Sequence, residues 1–284
     1  MNVNTITTHP GTAAAAGSPL ANGQTPSRAA HRSPPVAERG VRQLGLAGIV
    51  AVWAAAALPM GVLAWVIAPL LADQLSGPGA LSRALIITLT AGLVWQFALV
   101  MILVAREQGT LRWAVVKEAL WLRAPLSPRT GRRGGKLWLL VVPLVVAFGI
   151  EQLVPGLPHP ASRDLGEFLG SDSGQSLLAG NWGWFAIIAA LLVFNTVLGE
   201  ELLFRGYLLP RMNGVFGRRD WLANGVLFAA YHLQAPWVIP ATLLDTFIVA
   251  YPSKRYRGAL IGIVVHSAQS VVFLALTLSV VVTG

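Results

Sequence analysis

Long apolar segments alternate with short polar ones from residue 44 to the end of the chain. Seven of them approach the length that a membrane-spanning helix needs, and they lie at 44–72, 84–105, 137–154, 183–210, 221–235, 237–250 and 259–282. Residues 1–43 are instead rich in Ala, Gly, Pro and Ser, contain no comparable apolar segment and end in several arginines. Such a composition is typical of a disordered tail. The pattern predicts an all-α transmembrane bundle at 44–284 with about seven spans, or eight as the alternative, after a disordered basic tail.

Composition supports a membrane protein. Of the 284 residues, 55% are apolar and 12% are charged, whereas a soluble domain carries roughly 25% charged residues. A bundle whose outer surface contacts lipid accommodates this apolar excess, because its side chains need not all be buried in a core. The chain has no cysteine, which excludes disulfides, thiolate metal ligands and a cysteine nucleophile.

The formal charge of +9 is distributed in a way that favours membrane lipid, and not nucleic acid, as the partner. The 106–136 loop holds eight basic residues, and the 211–220 and 251–258 connections hold three each. The 73–83 and 155–182 connections hold one each. Because cytoplasmic loops are enriched in Lys and Arg, this alternation predicts a cytoplasmic N-terminus and an external C-terminus. We expect the protein to lie in the cell membrane of a bacterium.

Polar side chains interrupt three of the predicted spans. In chain order they are Glu200, Glu201 and Arg205 in the fourth span, Asn224 and His232 in the fifth, and His266, Gln269 and Ser270 in the seventh. An ionisable group at the centre of a bilayer costs roughly 2.5–3.5 kcal/mol, so these residues need an explanation. Counted from the basic residues at the cytoplasmic end, Glu200, His232 and His266 lie at depths of about 16, 20 and 14 Å. We therefore expect one carboxylate and two imidazoles to meet around a water-containing pocket.

Helical geometry separates the two adjacent glutamates. Glu201 and Arg205 are four residues apart with the acid first, which favours an ion pair along one helix face. Glu200 lies about 100° around the helix from Glu201 and has no such partner on its own helix. We expect the Glu201–Arg205 pair to set the position of the helix, and Glu200 to accept a proton.

Three four-residue spacings occur in consecutive apolar segments. Two glutamates are followed by Arg205, four residues after Glu201, and Phe228 precedes His232 by four residues. His266 precedes Ser270 by the same spacing. In this order the motifs resemble those of the CAAX-protease and bacteriocin-processing family of intramembrane proteases, also called the Abi or type II CAAX endopeptidase family. The resemblance covers residues 183–284.

The resemblance implies a role for each motif residue. Glu200 and His232 would activate a water molecule, with Glu201 and Arg205 counted in the same catalytic set. His266 would stabilise the oxyanion. The family has Asn where this chain has Ser270, so either the hydroxyl or the neighbouring Gln269 would replace that amide, with Phe228 and Asn224 as supporting residues.

A metal is the alternative to a purely carboxylate-based mechanism. Glu200, His232 and His266 form a three-ligand set that would leave a fourth position open for water, as in catalytic zinc sites. The chain has no H-E-x-x-H motif, which is the usual signal for such a site. Zinc and a metal-free glutamate mechanism both stay open at this point.

The sequence thus predicts an intramembrane endopeptidase that cleaves a membrane-bound or lipidated peptide. One alternative, favoured by Ser270, is an inactive membrane scaffold or immunity protein of the same fold. Another is a small proton-coupled transporter with Glu200, His232 and Asp245 as a proton relay, although no internal repeat of the kind common in transporters is evident. Outside a relay, we expect Asp245 to pack against a helix or to line the pocket.

Overall fold

The computed structural model describes residues 41–284, so the predicted disordered tail lies almost entirely outside the described residues. Across 41–284 the chain is helical and contains no β-strand, only one isolated antiparallel bridge between Leu126 and Arg133. The all-α prediction is therefore confirmed for this part of the protein.

Twelve α-helices are described, two of them with π-helical turns inside. They are α1 (Leu46–Ala72), α2 (Ala80–Gln108), α3 (Trp113–Ala119), α4 (Val141–Glu151), α5 (Leu165–Gly170), α6 (Asp172–Leu178), α7 (Trp182–Arg211), α8 (Asn213–Phe216), α9 (Asp220–Tyr231), α10 (Ile239–Thr242), α11 (Tyr251–Arg255) and α12 (Ala259–Thr283). The π-helical turns are Leu63–Ile67 in α1, Phe194–Gly199 and Leu202–Leu208 in α7, and Thr246–Ala250 before α11. The 3₁₀ turns are Gly135–Leu140, Ala161–Arg163, Gly217–Arg219 and Pro236–Val238.

Four helices, α1, α2, α7 and α12, are long and apolar enough to cross a membrane, with 25 to 30 residues each. At 1.5 Å per residue this corresponds to about 38–45 Å. The segments predicted at 137–154, 221–235 and 237–250 form shorter helices instead. The structure thus confirms four of the seven predicted segments as helices of spanning length, and the count of seven or eight spans stays a prediction.

The outer surface of the bundle is apolar where lipid would contact it. Large side chains such as Leu58 and Leu70 on α1, Ile150 on α4, and Val271 and Leu276 on α12 are more than half exposed. A soluble protein rarely exposes contiguous apolar patches of this extent. Exposed apolar helix faces are what a bilayer stabilises.

Residues 220–255 form a helical hairpin that is tied together at its basic end. Asp220, the first residue of α9, forms an ion pair with Lys254 near the end of α11. The two arms also approach closely in the middle, where a Cβ on Gly225 would lie 2.1 Å from Oγ1 of Thr246. Only glycine permits this approach. Since α9 ends at Tyr231, the turn that follows it places His232 about 18 Å from the basic end.

Candidate active site

A polar cavity of about 410 Å³ lies where the ends of several helices meet. Its lining includes Asn195, Glu200, His232, Asp245, His266 and Gln269. These side chains come from α7, the turn after α9, the segment before α11, and α12. The structure thus brings the three residues of the predicted cluster, Glu200, His232 and His266, to one cavity. Asp245 is a pocket-lining group, one of the two positions that the sequence suggested for it.

Glu200 and Glu201 lie between the two π-helical turns of α7 and point to different environments. Glu200 lines the cavity and is 2% exposed. Glu201 is fully buried outside the cavity, where its Oε1 is 3.1 Å from Nη1 of Arg205. The predicted ion pair between Glu201 and Arg205 is therefore present. π-Helical turns inside α-helices often occur at functional sites, and here they flank the two acids.

Glu201 also orients one of the cavity histidines. Nδ1 of His266 is 3.1 Å from Oε1 of Glu201. Because the carboxylate only accepts, Nδ1 donates, and Nε2 of His266 is left for the cavity. The approach of α12 to Glu201 depends on Gly262, since a Cβ there would lie 2.7 Å from Oε2 of Glu201. Arg205 and Glu201 therefore act behind the cavity wall and do not line it.

The Phe228 ring lies between the buried Glu201–Arg205 ion pair and the cavity. The guanidinium carbon of Arg205 lies 4.0 Å from the centre of the Phe228 ring. The Phe228 ring also packs edge-to-face with two imidazole rings. Its centre lies 5.0 Å from the ring centre of His232 and 6.0 Å from that of His266. A cation stacked on an aromatic face is stabilised by the ring quadrupole. Phe228 thus fixes two histidines and one arginine relative to each other, which agrees with its predicted supporting position.

His232 follows the last residue of α9, at the point where the backbone leaves the helical conformation. Its Nδ1 donates to the carbonyl oxygen of Phe228 at 3.0 Å. The carbonyl oxygen cannot donate, so the proton is on Nδ1, and a neutral ring has its lone pair on Nε2. His232 and His266 are therefore both anchored through Nδ1 and present Nε2.

Two further residues that the sequence analysis did not select support the cavity acid, Tyr231 directly and Gln96 through Tyr231. The hydroxyl of Tyr231 hydrogen-bonds with Glu200. The same hydroxyl accepts from Nε2 of Gln96 on α2 at 2.5 Å. Because Gln96 donates to the oxygen of Tyr231, the proton of that phenol is free to be donated to Glu200. Gln96 and Tyr231 are both completely buried. Gln96 lies 104 residues before Glu200 along the chain and belongs to none of the motifs, so only the tertiary structure identifies it.

Two of the predicted supporting residues lie outside the cavity. Asn224 is completely buried and donates to the carbonyl oxygen of Phe204 at 2.9 Å, so it joins α9 to α7. Ser270 is 3.1 Å from Oγ1 of Thr196 and also faces α7. Both were expected near the pocket because they share a helix face with a histidine. One helix face can contact both the cavity and a neighbouring helix. Asn224 and Ser270 lie on the part of the face that contacts α7.

Four amide side chains of residues 41–284 line the cavity, and two of them, Gln269 and Asn195, are on α12 and α7. Gln269 donates to Oε1 of Gln152 at 2.7 Å, which connects α12 to the end of α4. Asn195 lies in the first π-helical turn of α7, five residues before Glu200, and its side chain makes no hydrogen bond to residues 41–284. The sequence analysis missed Asn195 because a single Asn in an apolar segment matches no motif.

The residues suggested as metal ligands fit a metal only in part. Each histidine has its Nδ1 hydrogen-bonded and its Nε2 available, as metal-binding histidines usually do. However, within residues 41–284 no three side chains among His, Asp and Glu converge as a metal site. Zinc binding by Glu200, His232 and His266 therefore stays a prediction, and no step below is assigned to a metal.

The structure defines a helical membrane protein with a buried Glu–His–His cavity. Residues 181–272 match the model of a family described as type II CAAX prenyl endopeptidase, Rce1-like. This segment contains all three motifs, so the match confirms the family resemblance. It also supports the assignment to integral membrane proteins of the peptidase class. Neither the curated proteins nor the solved structures that were compared gave a match.

Proposed function

We propose that the protein is an intramembrane endopeptidase that hydrolyses a peptide bond by means of an activated water molecule. The observation that carries the proposal is the meeting of Glu200, His232 and His266, which come from separate parts of the chain, at one polar cavity. The similarity of residues 181–272 to Rce1-like endopeptidases points to the same chemistry. The protein would act in the cell membrane of a bacterium with its N-terminus in the cytoplasm and its C-terminus outside.

Glu200 and His232 would activate the water. Glu200 faces the cavity without a cation bonded to it, so its carboxylate can take a proton from a water molecule. Nε2 of neutral His232 can accept a hydrogen bond from the same water and orient it. Tyr231 donates to Glu200 and fixes the carboxylate. A positioned general base of this kind contributes about 10²–10⁴-fold to a rate.

The hydrolysis itself needs only these groups and the substrate. The water oxygen attacks the carbonyl carbon of the peptide bond while its proton moves to Glu200. The carbon–nitrogen bond then breaks, and Glu200 returns the proton to the departing amine nitrogen. The products are a new carboxylic acid, which keeps the second proton of the water, and a new amine, and Glu200 ends in its starting form. Transfer of that second proton from the acid to the amine gives the carboxylate and the ammonium.

Donors for the oxyanion are available among the other residues that line the cavity. An imidazolium at His266 would present Nε2–H to the cavity, with Glu201 behind it to balance the charge. Asn195 adds an amide whose donors are unoccupied. This group takes the place of the amide that the family has at the position of Ser270. Removing one such donor typically lowers the rate about 10²–10³-fold.

The substrate would be a membrane-bound or lipidated peptide. The cavity lies about 18 Å along α9 from its basic end, so a chain must be held within the membrane region to reach it. The exposed apolar helix faces around the cavity favour a substrate that itself partitions into lipid.

The test compares the purified full-length protein with the Glu200→Gln variant in liposomes, using a panel of fluorogenic lipid-anchored peptides. We expect the wild type to cleave at least one peptide and Glu200→Gln to lose about 10²–10⁴-fold in kcat. The matched control is Glu167→Gln, the same change at an exposed acid. A chelator added to each reaction separates a metal-dependent mechanism from a metal-free one.

Equal cleavage by wild type and Glu200→Gln would show that the site is wrong. A second candidate function, an inactive scaffold or immunity protein, is favoured by the position of Ser270, which is bonded to Thr196 and not directed into the cavity. For a scaffold, Glu200→Gln would retain the full biological effect of the protein in cells, whereas a protease would lose it.

A further inference from the structure

One side of the cavity is acidic and has no part in the proposed hydrolysis. It consists of Glu151, the last residue of α4, and Asp245, which precedes the π-helical turn Thr246–Ala250. Both line the cavity, and they are 5% and 3% exposed. They come from different helical segments, so their presence on one wall is a property of the tertiary structure.

Neither of these two carboxylates forms an ion pair with a lysine or arginine of residues 41–284, although His266, which lines the same cavity, interacts electrostatically with both. Oδ1 of Asp245 has no hydrogen-bond partner among residues 41–284. Glu151 accepts one hydrogen bond, 2.7 Å long, from the neutral side chain of Gln152. No lysine or arginine from the described residues lines the cavity. The nearby Arg205 is on the far side of the Phe228 ring and is paired with Glu201.

Asp164, a third acid that lines the cavity, does have partners. Asp164 lies 3.5 Å from Nε2 of His159 and caps α5 by accepting from the backbone N–H of Glu167 at 2.8 Å. Its carboxylate therefore has partners within the protein. The contrast separates an acid with a structural role from two acids that have none.

A buried carboxylate without a partner is costly, because it loses its hydration and gains no compensating contact. A cation that enters the cavity would supply that contact, and charge-assisted hydrogen bonds are the strongest that proteins form. The cavity volume of about 410 Å³ leaves space for a long side chain beside the scissile bond. Because the cavity is the proposed peptide site, the cation would be carried by the peptide.

We propose that Asp245 and Glu151 form a subsite for a lysine or arginine side chain of the substrate peptide. This inference rests on the proposed function, since it names the kind of residue that the same cavity selects. The unpaired Oδ1 of Asp245 accepts directly from the ammonium or guanidinium group, and Glu151 balances the charge from the end of α4.

The test uses two series of fluorescent palmitoylated peptides in liposomes with the full-length protein. In one series a single lysine occupies successive positions of an otherwise uncharged sequence, and in the other norleucine replaces it. Binding is measured with the Glu200→Gln variant and cleavage with the wild type. At one position we expect lysine to bind about ten- to a hundredfold more tightly than norleucine, the range expected of a hydrogen bond to a charged group.

The preference for lysine should disappear in Asp245→Asn and decrease in Glu151→Gln. Asp164→Asn is the matched control, because it makes the same change in the same cavity at an acid that already has partners. This control should retain the preference. Size-exclusion profiles and thermal unfolding identify any variant that fails to fold, in which case the Glu151→Gln result decides.

Binding and cleavage report on different proposals. A preference for lysine in binding without any cleavage by the wild type would retain the subsite and overturn the protease. Cleavage with equal kcat/KM for lysine and norleucine at every position would retain the protease and overturn the subsite. The subsite is also overturned if lysine binds no better than norleucine anywhere, including the case in which neither binds.

Discussion

Glu200 and Glu201 are neighbours in sequence but belong to two different regions of the molecule. Glu200 is part of the cavity wall, where its bonded partner is the neutral phenol of Tyr231. Glu201 is part of a layer behind that wall, where an arginine and a histidine surround it. The wall therefore holds a carboxylate free to react, while the layer behind it holds a carboxylate that is electrostatically satisfied.

The difference indicates how the fold holds two adjacent acids in different environments. In the layer behind the wall, Glu201 pairs with Arg205, and the two residues contact His266 and Phe228 from behind. The wall can then contain groups selected for chemistry. A substitution in this rear layer, which consists of Glu201 and Arg205, should mainly lower stability. A substitution in the cavity wall should lower activity with little effect on stability.

The largest effect that would test this division is expected from Arg205→Met. The substitution leaves Glu201 buried with no cation on its own helix, and breaking a buried ion pair in this way costs about 3–5 kcal/mol. Thermal and denaturant unfolding in detergent would measure the loss. Arg218→Met removes an exposed arginine and serves as the control. If Arg205→Met is as stable as the control, the rear layer does not hold the fold.

A smaller effect is expected from Gly262→Ala. The new methyl would lie 2.7 Å from Oε2 of Glu201 and 2.8 Å from Oγ of Ser253, so α12 or the carboxylate must move. Overpacking of a buried site typically costs about 1–3 kcal/mol. Since Glu201 orients His266, kcat should fall as well, although Gly262 is not in the cavity.

The control for this substitution is Gly149→Ala on α4, where an added Cβ meets nothing within 4 Å. Unfolding and cleavage are measured for both variants. Unchanged stability and kcat in Gly262→Ala would mean that the position of Glu201 relative to α12 is not important for the site.

The smallest effect is expected from Tyr231→Phe. The ring is retained, but Glu200 loses a donor and Gln96 loses its acceptor, which should cost about 1 kcal/mol in stability. Because the lost bond positions the proposed base, kcat should fall several-fold while KM stays unchanged. The matched control is Tyr251→Phe at an exposed tyrosine. A change in KM with a constant kcat would assign Tyr231 to substrate binding instead of to positioning of Glu200.

Local spacing predicted part of the site correctly. The i, i+4 relation of Glu201 and Arg205 predicted their ion pair, and similar depth along three segments predicted that Glu200, His232 and His266 would meet. The same reasoning was wrong for Asn224 and Ser270, which share a helix face with a histidine but contact α7. Spacing assigns residues to a face, and it does not specify whether that face meets a cavity or another helix.

The sequence predicted where the apolar helical segments lie better than it predicted how long each helix is. Apolar runs identified α1, α2, α7 and α12, each of which is long enough to span. The segments around α9 and α11 are shorter because they fold back on each other as a hairpin. That hairpin depends on the contact of Gly225 with Thr246 and on the Asp220–Lys254 pair, which join positions more than 20 residues apart.

The sequence by itself determined that this is a helical membrane protein, that Glu201 pairs with Arg205, and that its motifs resemble those of an intramembrane protease family. These properties depend on composition and on contacts within a few turns of one helix. Only the tertiary structure decided that Gln96, Tyr231 and Asn195 join the site, and that Asp245 and Glu151 meet on one wall. Those groupings depend on which helices pack together, and that is set by close contacts between distant parts of the chain.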